Sequence, residues 1–232
     1  MFRVSLVAAL ALALTTRAAD PTPVQPFNGT DLKGWKLKDE KKSKWFPVLV
    51  KADDKNLVMV KREATDKDYH LSNVSAGGCD IFTEQKFGDA IIELEFMVPK
   101  GSNSGVYVMG EYEVQILDSF GKADDKLTQG DLGALYSAAA PKKNVAKKPG
   151  EWQAFKIIFQ APKFDAAGKK TTNAKFLSVS LNGTELHKDV EMKGPTPGGL
   201  TGKEAATGPL MFQGDHGPVA FRNIKITQVE VK

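Results

Sequence analysis

Apolar residues along this chain come in short runs cut by Gly, Pro, Asn and Asp, with hardly any of the three-to-four-residue spacing that a helix needs. The runs predict strands at Phe46–Val50, Asn56–Val60, Ile81–Thr83, Ala90–Val98, Gly105–Met109, Tyr112–Leu117, Ala134–Tyr136, Gln153–Phe159, Phe176–Leu181, Thr184–His187, Leu210–Gln213 and Ala220–Val229. Apolar and polar residues alternate in Ile92-Glu93-Leu94-Glu95-Phe96 and again in Tyr112-Glu113-Val114-Gln115-Ile116. Successive side chains of a strand point to opposite faces, so each of these segments has one core face and one polar face. Asn182-Gly183, set between two runs, is the strongest hairpin signal. Many short strands separated by turn chemistry predict an all-β sandwich or barrel.

The N-terminus departs from this pattern. Arg3, an apolar run from Val4 to Leu14 and small residues up to Ala18 and Ala19 read as a signal peptide over 1–19. The run is too short to span a bilayer and no longer one follows, so an exported chain without a membrane span is expected, periplasmic or extracellular after cleavage. Residues 20–26 carry three prolines and are read as a linker, with one domain over 27–232. Removing Arg3 and Arg17 from the 32 basic residues leaves 30 against 28 acidic ones, no footprint for nucleic acid. The one cysteine, Cys79, allows no internal disulfide, so stability must come from a core in which Cys79 is expected to be buried.

Candidate chemistry is sparse. His70, His187 and His216 lie far apart without the spacing of metal ligands. No cofactor is expected; a calcium or other divalent ion, if one binds, has Asp124, Asp125 and Asp131 as its donors. Two long loops, 119–131 and 137–150, stand beside the strands, where sites are commonly built. Four stretches are unusual for ordinary turns. Gly101 to Gly105 places Asn103 between serines. Residues 110–118 display Glu113, Gln115 and Asp118. Gly133 to Tyr136 offers a phenol. Gln213 to Asn223 sets His216 in a Gly-Asp-His-Gly-Pro turn ahead of Arg222. Trp35 and Trp152 are candidates for stacking on a sugar, although core packing is the expectation for tryptophans in a sandwich. The spacing of Glu113, Gln115 and Asp118 is similar to the paired-carboxylate strand motif of retaining sandwich glucanases, but Gln115 cannot titrate, which disfavours that chemistry.

Taken in order, the stretches 27–35, 102–108, 112–118, 133–136, 149–152 and 216–224 resemble the 3-keto-disaccharide hydrolase family, from about Phe27 to Val229. The resemblance implies a two-sheet jelly-roll sandwich of the concanavalin A-like lectin and glucanase type. It also implies action on glycosides oxidised at C3, by removal of the C2 proton, loss of the C1 substituent and hydration. Such a site needs a base, a proton donor and donors to the enolate oxygen rather than two facing carboxylates. For such a site Glu113 or His216 is read as base and proton shuttle, with Asp118 orienting one of them. Asn103, Gln115, Tyr136, Gln213 and Arg222 are then the substrate-binding residues. An oxidised glycoside or another carbohydrate is the expected partner. A carbohydrate-binding module without catalysis is the alternative, and an ordinary endo-glucanase the weakest one.

Overall fold

In the computed structural model the described residues are 21–61, 63 and 69–231. Their strands, in chain order, are β1 (Trp35–Leu37), β2 (Trp45–Val48), β3 (Val50–Asp53), β4 (Asn56–Met59), β5 (His70–Asn73), β6 (Ile81–Phe87), β7 (Ala90–Met97), β8 (Asn103–Val108), β9 (Tyr112–Leu117), β10 (Gln153–Gln160), β11 (Lys163–Phe164), β12 (Lys170–Thr172), β13 (Ala174–Leu181), β14 (Thr184–Met192), β15 (Gly208–Phe212) and β16 (Val219–Gln228). One sheet has the order β1-β6-β15-β8-β9 and the other β14-β13-β10-β7-β16-β5-β2, while β3-β4 and β11-β12 are separate hairpins. The two large sheets pack face to face as a jelly-roll sandwich, as expected.

Alternation decides what lies between the sheets. Tyr112, Val114 and Ile116 of β9 and Val106 and Val108 of β8 enter the core from one side, and Ile92, Leu94 and Phe96 of β7 from the other. Phe212 and Phe221 stack at a centroid distance of 3.9 Å and join the two sheets. Cys79 is buried, and Trp35 packs in the core against Phe212.

Several expectations shift. The short strands β1 and β5 were not apparent, β5 because it buries Ser72 and Asn73 rather than an apolar run. The segment 134–136 is no strand; only Leu135 pairs, in isolated bridges to Val114 and Ala139. Asn182 and Gly183 do turn the chain between β13 and β14, with the positive φ values of 52° and 81° that such a turn requires. The proline-rich segment is not a free linker from Val24 onward. Val24 exchanges hydrogen bonds with Ile226 at 2.8 and 2.9 Å, and the Pro26 carbonyl accepts from Trp35 Nε1. The expected signal peptide lies outside the described residues. Among the described residues no helix is long and apolar enough to cross a membrane.

In the five-stranded sheet, β9 ends the row and would leave a bare edge. Two loops close it instead. From the 119–150 side, Gly133 N donates to Gln115 O at 2.8 Å, Tyr136 N to Glu113 O at 3.1 Å, and Gln115 N to Ala134 O at 2.9 Å. From the 193–207 strap, Thr196 N donates to Glu111 O, and Thr196 Oγ1 accepts from Glu113 N at 3.0 Å. These loops rise past the outer face of the sheet and turn it from a flat surface into a cleft.

Candidate active site

Because Val114 faces the core, Glu113 and Gln115 face out, and Asn103, Gly105 and Tyr107 do the same on the neighbouring β8. The outward residues of both strands, with Tyr136, Pro197, Gly198, Gln213 and His216, line a cavity of about 190 Å³. Glu113 is only 2% exposed. Its carboxyl lies over Gly105, at a position where any β-carbon would collide with it. Burial pushes its pKa up from the ordinary 4.5 to about 7, against the downward pull of the Tyr107 hydroxyl and of charge on His216.

Tyr107 is buried and stays protonated, since burial and the adjacent Glu113 push its phenol far up. Its hydroxyl donates to Pro197 O at 3.2 Å and also meets the Glu113 carboxyl. A protonated Glu113 can therefore donate to the phenol oxygen while the phenol donates to Pro197. When Glu113 is ionised the phenol hydrogen turns to the carboxylate instead. The strap approaches closely because Gly198, at φ 84°, has no side chain to strike the Tyr107 hydroxyl.

His216 enters from the turn between β15 and β16. The turn is fastened from below: Asn73 Nδ2 donates to Gly214 O at 3.0 Å and to Gly217 O at 2.8 Å, and Ser102 Oγ donates to Pro218 O at 2.6 Å. His216 Nδ1 lies 2.6 Å from Asp215 Oδ1, which leaves Nε2 for a ligand. Across the cavity Gln115 Nε2 donates to Asn103 Oδ1 at 3.1 Å. This bond fixes the amide of Asn103 so that its Nδ2 remains a donor for a bound hydroxyl or carbonyl.

Asn103, Glu113, Gln115, Tyr136, Gln213 and His216 thus converge, as the sequence suggested. Asp118 and Arg222 do not. Asp118 lies past the end of β9, where its carboxylate accepts from Gly101 N at 2.8 Å and Phe120 N at 3.3 Å and ties off the loop. Arg222 is on β16 in the other sheet. Its Nε donates to Glu95 at 2.6 Å and its guanidinium lies 4.0 Å from the Trp152 ring centre, on the outside of the sandwich. The expectation that Arg222 binds substrate beside Glu113 fails because β16 belongs to the seven-stranded sheet, whose outer face is on the opposite side of the sandwich. Asp215 is the acid that contacts His216, and with Tyr107 and the strap it was missed. Tyr107 was readable two residues beyond Gly105 on the face of Asn103; the strap has no periodic signal.

The loop carboxylates do not gather as calcium donors. Asp131 accepts from Lys122 Nζ at 2.8 and 2.7 Å and from Thr128, Asp124 accepts from Asn144 N, and Asp125 pairs with Lys126. Among the described residues no three His, Cys, Asp or Glu side chains are grouped to hold a metal. A larger cavity of about 290 Å³ lies beyond the strap, but the buried Glu111 and the half-buried Glu204 in its lining are already committed. Glu111 accepts from Thr201 and Gly202, and Glu204 from Tyr112 Oη and Lys170 Nζ. The buried carboxyl with the raised pKa lines the smaller cavity.

The model of the 3-keto-alpha-glucoside-1,2-lyase-like domain matches residues 22–227. The chain belongs to this family. Its match takes in both sheets, the strap and every residue of the Glu113 cavity, and places the chain in a sugar-active hydrolase/lyase family. A structure described as a "putative glycosyl hydrolase" from Parabacteroides distasonis ATCC 8503, solved at 2.13 Å, is 27% identical with a TM-score of 0.64, covering 89% of this chain and 84% of that one. A second structure so described from the same organism, at 1.70 Å, is 18% identical with a TM-score of 0.60, covering 90% and 94%, and shares the fold. No protein of curated function matches the chain.

Proposed function

We propose that this family member is an exported enzyme that cleaves 3-keto-glycosides by elimination and hydration, with Glu113 as the base. The observation that carries this is a buried carboxyl, poised near pH 7, in a cavity whose lining has no second carboxylate among the described residues. A base titrating near neutrality is matched to removing a carbon-bound proton that a neighbouring ketone has acidified. A double-displacement glycosidase would instead need a partner carboxyl about 5–5.5 Å away, and the amide of Gln115 and the loop-bound Asp118 do not supply one.

In this scheme Glu113 takes the C2 proton and the electron pair moves onto the C3 oxygen as an enolate. Asn103 Nδ2, with Gln213 alongside, donates to that oxygen. The enolate then collapses to a C1–C2 double bond conjugated with the ketone, and the C1–O bond breaks. The departing oxygen takes a proton from His216, which Asp215 holds in place. Water adds its oxygen to C1 and a proton to C2, giving the free 3-keto-sugar and an alcohol. The Tyr107 hydroxyl follows the proton on Glu113 through both halves.

The test is to incubate the protein with a 3-keto-glucoside in deuterated water, with and without chelator, following C2-proton exchange and release of the C1 substituent. Exchange and release are expected, with both lost in Glu113→Gln and neither seen with the parent glucoside. Comparable turnover of the unoxidised glucoside, or saturable binding without any product, overturns the proposal.

A further inference from the structure

The Glu113 cavity, at about 190 Å³, is smaller than the ~300–1,000 Å³ of pockets that enclose drug-sized ligands. It has room for little more than one sugar ring. Tyr136 forms one of its walls and, being half-buried, also forms a wall of a second, open groove of about 580 Å³ in the neighbouring loop. Leu127, Thr128, Gln129, Gly130, Ser137 and Ala140 complete the groove, and none of the described residues lining it is charged. Hydroxyl and amide groups beside an aromatic ring suit a neutral polyhydroxylated unit, whose apolar C–H face rests on the ring while its hydroxyls meet the polar side chains. A carboxylate or sulfate there would find no cation in the lining.

The groove is built rigidly. Asp131, buried beneath it, accepts from Ser119 Oγ, from Lys122 Nζ twice, and from both the backbone and hydroxyl of Thr128. Asn144 Nδ2 ties the loop again through Ser119 O and Lys122 O. A ligand would therefore not have to order this loop on binding.

We infer that the groove is a second glycosyl subsite, which holds a neutral sugar unit attached at C1 of the ring bound beside Glu113, with Tyr136 contacting both units. The inference deepens the proposed function and rests on it only for the identity of the bond that is cut. Gly130 provides a test, since it lies outside the left-handed region and an added β-carbon would be 3.9 Å from both Thr128 Oγ1 and Tyr136 Cε2, an ordinary contact. Gly130→Leu should fill the groove without straining the backbone. With this variant kcat/KM on a neutral 3-keto-disaccharide should fall about tenfold or more while that on methyl 3-keto-glucoside stays within about twofold. Gln129→Ala should give a smaller loss of the same kind and an unchanged melting temperature. Equal losses on both substrates, or no loss on either, overturn the subsite.

If the unmodified protein turns over neither compound, the proposed reaction fails by itself. The subsite is then read by titrating the protein and Gly130→Leu with a neutral disaccharide and its monosaccharide. Weakening confined to the disaccharide supports the subsite, and equal affinities of the two proteins overturn it.

Discussion

Glu113 on β9 and Glu95 on β7 stand at equivalent places in the same alternating pattern, yet they have opposite surroundings. Glu95 is opposite Arg222 on the neighbouring β16, accepts from its Nε at 2.6 Å, and shares an open surface with the Glu93–Lys156 pair. Glu113 has no ion pair among the described residues and is almost wholly buried. The strands themselves are alike; the loops differ. Among the described residues the Glu95 side chain keeps 31% of its surface exposed, whereas the 119–150 loop and the 193–207 strap wall in Glu113 and take away its water. A carboxylate on a strand becomes reactive through what its neighbours exclude.

The sharpest way to break this comparison is to neutralise both acids. Glu113→Gln should lower kcat/KM on a 3-keto-glucoside by about a thousandfold or more, about 4 kcal/mol of barrier. Glu95→Gln should change it less than about twofold, as expected for a screened surface pair. Glu113→Gln should also stabilise the fold in alkaline buffer. A carboxyl raised from 4.5 to about 7 costs nothing below pH 4.5, costs progressively more as pH rises to 7, and above that withholds about 3 kcal/mol. Urea melts of the protein and the variant at about pH 4 and pH 8 measure the difference; a gap that does not widen with pH would contradict the burial argument.

Asp131 shows the reverse coupling. Burial alone would raise it, but Lys122 and Thr128 outweigh that and hold it below the ordinary 3.8. Its contribution is therefore present above that value and lost as pH falls through the lowered pKa. Asp131→Ala should destabilise the fold by about 2–4 kcal/mol in urea, through the backbone and Lys122 donors it leaves behind, and raise KM more than it lowers kcat. Tyr107→Phe removes a hydroxyl that lowers the Glu113 pKa, so the rising limb of the pH–kcat/KM profile should move to higher pH. A purely structural tyrosine would leave that limb in place. The smallest effect belongs to Arg222→Ala, expected to cost less than about 1 kcal/mol of stability with kcat/KM unchanged.

The sandwich was legible because alternation is a local property: Tyr112, Val114 and Ile116 announce an inner face without reference to any other strand. The same property marked Glu113 and Gln115 as outward, whereas Asn103 stood out only as an amide between serines ahead of the strand expected from Gly105. Alternation cannot say which of two outer faces a residue shares, so it could not separate Arg222, which the resemblance grouped with Glu113, although it faces away on the other sheet. Asp118 failed for another reason. It follows the last residue of β9, where the alternation stops and turn geometry turns the carboxylate toward backbone N–H groups. The contribution of Pro197 and Gly198 depends on a contact across some ninety residues with Tyr107, and no periodicity in the strap encodes it.

Gly105 carries one more implication, for inheritance. Its missing side chain is the space the Glu113 carboxyl occupies, so the two positions are not independent letters of the sequence. A descendant that gains even an alanine at 105 must evict the glutamate, and one that first loses the glutamate is released to fill the gap. The route away from this chemistry is therefore open in either order, while the route back needs the glycine restored before the acid can return. Among relatives, any side chain at 105 should thus mark a site that has lost its glutamate, while glycine there is the condition for keeping it.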